Sequence, residues 1–376
     1  MTPVTSDNAT ENTTTDMATG PELRIVMEVE GNAAAIIVPI LFGIIFIVGI
    51  VGNGTIIFTV LRNKVMRNLP NILIVSLSIG DLLLIFVSVP FSATLFTFTS
   101  WPYGNAMCKF NFFMQTFSLG VSIFTLTALS IDRYFAIVDP MSKHTGNTVA
   151  KPVILVTITW LASMILAIPD GVFSQTTIMQ KSNETGAYVC LRYPPKYYPE
   201  YPKIQTIIMF LVYFAIPLVT IGFYYLMMAL ILIKSGNTMP CEMKGAQNQQ
   251  RQIAARKKVA KIVLSFVLIF FICWLPHHIF KIWFNFDDSQ YNAFWHGFQI
   301  AGFCLKFINS CVNPFALYLL SSQFRKFYKR YLCCCLPKPT RYTCLDQTST
   351  LHNFQSDVRR ASTQNTIAHS VSQSMC

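Results

Sequence analysis

Two ionisable residues stand inside long apolar stretches: Asp81 within residues 68–107, and Lys306 within residues 289–324 beside a neutral His296. A carboxylate or an ammonium at bilayer depth is expensive, and such groups face protein or water rather than lipid. Helical spacing supports that placement. Lys306, Asn309 and Asn313 follow one another at steps of three and four residues, which stacks them on one helix face. Gln115, Ser118, Ser122 and Thr125 do the same at steps of three, four and three. The chemistry open to such a seam is hydrogen bonding, ion pairing and the holding of a small hard cation by one carboxylate among neutral oxygens. For any single Ser or Thr the plainer role is helix-to-helix bonding, worth about 0.6 kcal/mol each. That role is inadequate for Asp81, the one carboxylate expected inside the membrane. The residues offer no pair of nucleophile and base.

The elements that must carry this seam are legible in the composition. Hydrophobic residues make up 53% of the 376 and charged residues 12%, the balance of a membrane protein. A helix crosses about 30 Å of hydrocarbon with roughly 20 apolar residues. Stretches 31–61, 110–131, 152–169, 204–233 and 262–280 hold no Asp, Glu, Lys or Arg. With 68–107 and 289–324 they predict seven spans, an all-α transmembrane helix bundle. If the N-terminus is outside, 21 of the 29 Lys and Arg fall on the cytoplasmic side, 7 outside, and Lys306 within a span. The net charge of +12 is then a property of the inner face meeting anionic lipid, and it gives no nucleic-acid signal.

Other signals agree with that orientation. Residues 1–31 read as an extracellular tail without a signal peptide, with sequons at Asn8 and Asn12 and a third at Asn183 in the second outer loop, placed at 170–203. Cys108 and Cys190 are the two cysteines placed outside, and a bridge between them would pin that loop for roughly 2–4 kcal/mol. Residues 32–320 form the bundle, and 321–335 an amphipathic eighth helix on the inner leaflet. In that helix Phe324, Phe327, Tyr328 and Tyr331 share a face, and Cys333, Cys334 and Cys335 are palmitoylation candidates. Residues 336–376 read as a disordered regulatory tail, with Ser362 in a basophilic kinase pattern. Pro217, Pro276 and Pro314 each delete a backbone hydrogen bond within a span. A hinged bundle with a wet interior suits a switch, and a transporter too, though no internal repeat of the transporter kind is visible.

Certain residues also resemble a family. Gly52-Asn53, "LSIGD" at 77–81, Trp101, Cys108, "DRY" at 132–134, Trp160, Pro217, Tyr225, "CWLP" at 273–276 and Asn313-Pro314 together look like a rhodopsin-like G-protein-coupled receptor, over residues 32–335. "INSCVNPFALYLLSSQFRKFYKRYLCCC", Gln115 and His278 resemble bombesin-type peptide receptors, and "FWHGFQIAGFCLKFINSCVNP" resembles the invertebrate CCHamide receptors.

The resemblance implies a plasma-membrane receptor in which a ligand rearranges the surroundings of Trp274. The inner end of span six then swings out about Pro276 and exposes Arg133 to a heterotrimeric G protein, with Gq and a calcium rise the expected output. At rest Arg133 pairs with Asp132, flanked by Tyr134, and Tyr225 and Asn313-Pro314 take part in the coupling. Where some members carry a second acidic restraint this chain has Arg256, which implies appreciable basal signalling. Asp81, Ser118, Ser122, Asn309 and Asn313 match the positions that hold an allosteric sodium ion; no obligatory cofactor is implied. Leu317 occupies the place where the family pattern has Tyr, with Tyr318 next, as in bombesin-type receptors. Receptor kinases and arrestin are the further partners implied.

Gln115 stands where an amine receptor offers a carboxylate, so an amidated or cyclic neuropeptide is the expected ligand. Gln115, His277, His278, Lys306, Phe284, Phe303 and Trp274 are the candidate contacts. Phe284 and Phe303 replace arginines of the bombesin-type pattern, which argues against true bombesin specificity. The alternatives are a non-peptide ligand in the same class, or an opsin-like retinal linkage at Lys306. Against retinal, Lys306 lies seven residues before Asn313, one more than the opsin pattern, which rotates it by about 100°.

Overall fold

Each uncharged stretch forms a long helix in the computed structural model, which describes residues 34–98, 100–138, 150–179, 187–197, 200–236, 244–287 and 291–332. The order is α1 (Ala34–Arg62), α2 (Leu69–Thr94), α3 (Gly104–Val138), α4 (Ala150–Phe173), a hairpin of β1 (Gln175–Met179) and β2 (Ala187–Leu191), α5, α6 (Lys244–Phe286), α7 (Ala293–Leu320) and α8 (Ser322–Leu332). Helix α5 runs as Glu200–Phe210, a wide π turn Leu211–Ala215, and Ile216–Gly236. Seven helices are long and apolar enough to cross a membrane. The terms outer and inner below follow the orientation expected from the charge distribution.

Local sequence sets several helix ends. Asn68 accepts a hydrogen bond from the Asn71 amide at 3.1 Å and Pro70 follows in the first turn, which starts α2. Asn292 caps α7 in the same way through the Trp295 amide. Gly104 enters α3 at φ +73°, a conformation open to glycine. The π turn follows from Pro217, which cannot donate to the carbonyl four residues back and crowds that turn, so the chain widens there.

Helix α3 is the axis of the bundle, packing against α2, α4, α5 and α6. About 78% of its most apolar window is buried, against 22% for α1 and α4, whose outer faces remain apolar for lipid. The inner half of the core gathers Leu73, Leu126, Leu129, Phe266 and Leu317, and Phe324 and Tyr328 of α8 join it. Gly52 lies so close to α7 that a Cβ there would meet the Pro314 ring at 2.7 Å.

Three expectations need correction. Charge gaps misjudged helix ends: α3 continues through Asp132 and Arg133, and the 68–107 stretch is helical only over Leu69–Thr94 before α3 begins at Gly104. The second outer segment contains a β-hairpin, with Thr176 paired to Cys190, within an otherwise helical fold. Asp170, assigned to the loop, is in the last turns of α4 and 2% exposed, so Asp81 has a second buried carboxylate for company.

A candidate ligand chamber and its polar relay

Between the outer halves of the helices lies a cavity of about 840 Å³, solvent at its mouth included. Leu95, Trp101, Phe112, Gln115, Cys190, His277, Phe303 and Lys306 are among its walls. A deeper chamber of about 540 Å³ shares Gln115, Arg192, His277, Lys281 and Lys306 with it and reaches Trp274 and His278. The hairpin covers the mouth because Cys190 of β2 is bridged to Cys108 at the start of α3, with Cα atoms 5.6 Å apart. The Trp101 amide donates to the Tyr188 carbonyl at 2.7 Å and fastens β2 from the other side.

The floor of the cavity joins α3 to α7. The Lys306 ammonium donates to Gln115 Oε1 at 2.9 Å and lies over the rings of Phe303 and Phe307, at 4.6 and 5.0 Å from their centroids. Lys306 is 8% exposed. Trp274 stacks on Phe270, and His278 meets the rings of Phe210 and Phe214 beside the π turn. Trp274 Nε1 and His278 Nε2 are buried without a protein partner, two polar atoms on the wall of the deeper chamber that a ligand or water can satisfy. Gln115, His277, His278, Lys306, Phe303 and Trp274 thus line one or both chambers. Phe284 is not among the residues lining either chamber; its ring packs against Phe280 and Tyr291.

Sequence reasoning missed a second polar centre. Both oxygens of Asp170 are engaged: Thr116 of α3 and Arg192, which follows β2, donate to Oδ2, and Gln205 of α5 donates to Oδ1 at 2.6 Å. The Arg192 to Asp170 distance is 2.9 Å. The guanidinium also lies 4.7 Å over the Phe112 ring. The available signal was an acid one residue after Pro169 with an Arg two residues after Cys190, but nothing local pairs them.

Midway down the bundle, Asp81 is fully buried and its Oδ2 accepts from Asn313 Nδ2 at 2.8 Å. Its Oδ1 receives no hydrogen bond, and Ser122 and Ser310 stand beside it. Ser310 was not foreseen. Ser118 donates to the Gly80 carbonyl at 3.0 Å, and Asn309 is buried on the same side of α7 as Asn313. Asn53 ties α1 to this centre through the Ser310 carbonyl at 2.8 Å. Among the described residues no group of three or more His, Cys, Asp or Glu is placed to hold a metal. One unsatisfied carboxylate oxygen among hydroxyls and amides instead fits a small monovalent cation.

At the inner end, Arg133 pairs with Asp132, its Nε donating at 3.1 Å. The Tyr225 hydroxyl donates to the Ala260 carbonyl at 2.7 Å and joins α5 to α6. Tyr134 packs on Tyr224, and Pro276 and Pro314 lie inside α6 and α7. Leu317 is 1% exposed in the core, and Tyr318 turns to Tyr328 of α8. The Arg256 side chain, Asn8, Asn12, Asn183, Cys333, Cys334, Cys335 and Ser362 lie outside the described residues.

Residues 52–318 match the family model for the seven-transmembrane receptor of the rhodopsin family. Over 306 residues, 79% of its length, the chain is 46% identical to the neuropeptide CCHamide-1 receptor of Drosophila melanogaster, and it spans 60% of that protein. It is 40% identical to a bombesin receptor of Bombina orientalis over 307 residues, 81% of this chain and 78% of the relative.

Proposed function

Because this chain belongs to the rhodopsin family of seven-transmembrane receptors, we propose that it is a neuropeptide receptor that binds an extracellular amidated or cyclic peptide and activates a heterotrimeric G protein of the Gq class. The observation that carries this reading is the chamber floor. Gln115, about a third of the way along α3, is bonded to Lys306, and no carboxylate lines either chamber among the described residues. An amine has no counter-ion there, whereas carbonyl and amide groups of a peptide find donors and acceptors within a cavity of suitable size. The names of the two relatives point the same way.

In this reading the peptide enters beneath the hairpin and contacts Gln115, His277, His278, Phe303 and Lys306. Its insertion displaces Trp274 against Phe270, two residues before Pro276 in α6. Opening of α6 there separates the Tyr225 to Ala260 bond and uncovers Arg133 for the G protein. Sodium at Asp81, with Ser118, Ser122, Asn309 and Asn313 around it, holds α2, α3 and α7 in the resting packing. The protein sits in the plasma membrane with a glycosylated N-terminal tail outside. Palmitoyl groups at Cys333–Cys335 anchor α8, and phosphorylation of the tail, Ser362 included, recruits arrestin.

A calcium assay in transfected cells, run against a panel of amidated and cyclic neuropeptides, tests the proposal. A saturable response to one peptide, blocked by a Gq inhibitor, is expected. A response confined to small non-peptide agonists, or a visible absorbance band after adding retinal, would replace this reading with one of its alternatives.

A further inference from the structure

We propose that Asp170 is a positioning residue: from behind the chamber wall it holds Arg192 in place, and the two act as one unit in recognising oxygen acceptors on the inserted segment of the ligand. The inference rests on the peptide-receptor reading and extends it to residues that reading does not use. Arg192 lines both chambers, whereas Asp170 lines neither. Asp170 is 2% exposed, and its carboxylate collects donors from α3, α5 and the segment after β2 while its own backbone belongs to α4. Ser174 adds a second tie, donating to the Asp170 carbonyl at 2.6 Å and to the Arg192 carbonyl at 3.3 Å. With one guanidinium edge taken by Asp170 and its face on Phe112, the orientation of Arg192 is fixed from two sides. Arg carries only donors, so the ligand atoms it meets are acceptors, carbonyl or carboxylate oxygens. The chamber adds Lys281 and Lys306, two further donor groups.

The test compares Asp170→Asn, Arg192→Gln and the double variant in intact receptor, with synthetic CCHamide-1 and bombesin as the probes. Calcium potency is the first readout, normalised to surface receptor. Hydrogen exchange of residues 187–197 in purified, ligand-free receptor is the second. Each single variant should lower potency about 10- to 100-fold, and the double should be no worse than the weaker single, the mark of two residues acting together. Asp170→Asn should also speed exchange in 187–197. Additive losses, or full potency in both singles, overturn the proposal.

If Asp170→Asn fails to reach the surface, Arg192→Gln and Arg192→Lys decide. Loss in both shows that the placed guanidinium fork is required, and potency retained in both overturns it. If neither probe activates the unmodified receptor, the peptide reading loses its support, and exchange alone decides the positioning claim: unchanged protection in Asp170→Asn, or in Arg192→Gln where the former does not fold, rejects it.

Discussion

Lys306 allows a prediction in which stability and function part company. Its ammonium is almost fully buried, donates to a neutral amide oxygen and lies over two ring faces. Withdrawing such a cation from water costs several kcal/mol, and a hydrophobic side chain of similar volume is often more stable at the same place by about 1–4 kcal/mol. Lys306→Met keeps most of the volume and removes the charge. At about 1–2 kcal/mol gained, and roughly 2–4 °C per kcal/mol for a domain of this order of size, the unfolding midpoint should rise by about 2–8 °C.

Gln115→Leu leaves the ammonium but removes the amide acceptor at 2.9 Å. A lost hydrogen bond to a charged group is worth about 1.5–3 kcal/mol, so the midpoint should fall by roughly 3–12 °C. The double variant should track Lys306→Met, since no stranded charge remains. A thiol-reactive dye that reports exposure of the buried Cys273, Cys304 and Cys311 gives the readout in detergent. Agonist potency of Lys306→Met should drop in spite of the higher midpoint, which would identify Lys306 as retained for the ligand. If Lys306→Met instead lowers the midpoint as far as Gln115→Leu does, the ammonium is a net stabiliser and the argument from buried charge is wrong.

Three further outcomes are expected. Replacing sodium by a large inert cation should lower the unfolding midpoint of the unmodified receptor by about 3–6 °C at tenfold saturation, and should leave Asp81→Asn unmoved; equal sensitivity in both would remove the ion from this site. Gly52→Ala forces a methyl to 2.7 Å from the Pro314 ring and should reduce surface receptor through about 1–3 kcal/mol of overpacking, whereas Gly54→Ala, which meets nothing within 4 Å, should express normally. Cys190→Ser opens a cross-link spanning 82 positions, worth up to about 4.5 kcal/mol by loop-closure entropy, and should lower both surface receptor and potency; immunoblotting and the calcium assay read these separately.

What the sequence disclosed follows from which interactions are local. The spans were visible as gaps between charges, and the seam of Lys306, Asn309 and Asn313 as helical spacing, because both depend on neighbours along the chain. Partners distant in sequence stayed hidden. Gln115 could be singled out as polar, yet its bond to Lys306 crosses 191 residues. Asp170 was set in a loop because a charge ends a span in any count of charges, and its neutralisation by Arg192 depends on the hairpin that the disulfide folds back. Ser310 escaped notice because it sits one position off the stripe defined by Asn309 and Asn313, and only the approach of α2 brings it to Asp81. The hairpin itself has five residues in each strand, too few to show a convincing alternation.

The wide turn at Leu211–Ala215 works like a phase shifter in a rotating shaft. One extra residue per turn offsets the faces of α5 above it from those below. Gln205, in the upper segment, therefore meets Asp170 while the lower segment keeps Tyr225 in register with Ala260. The two contacts then sit on separate halves of a single rod, each with its own helical phase.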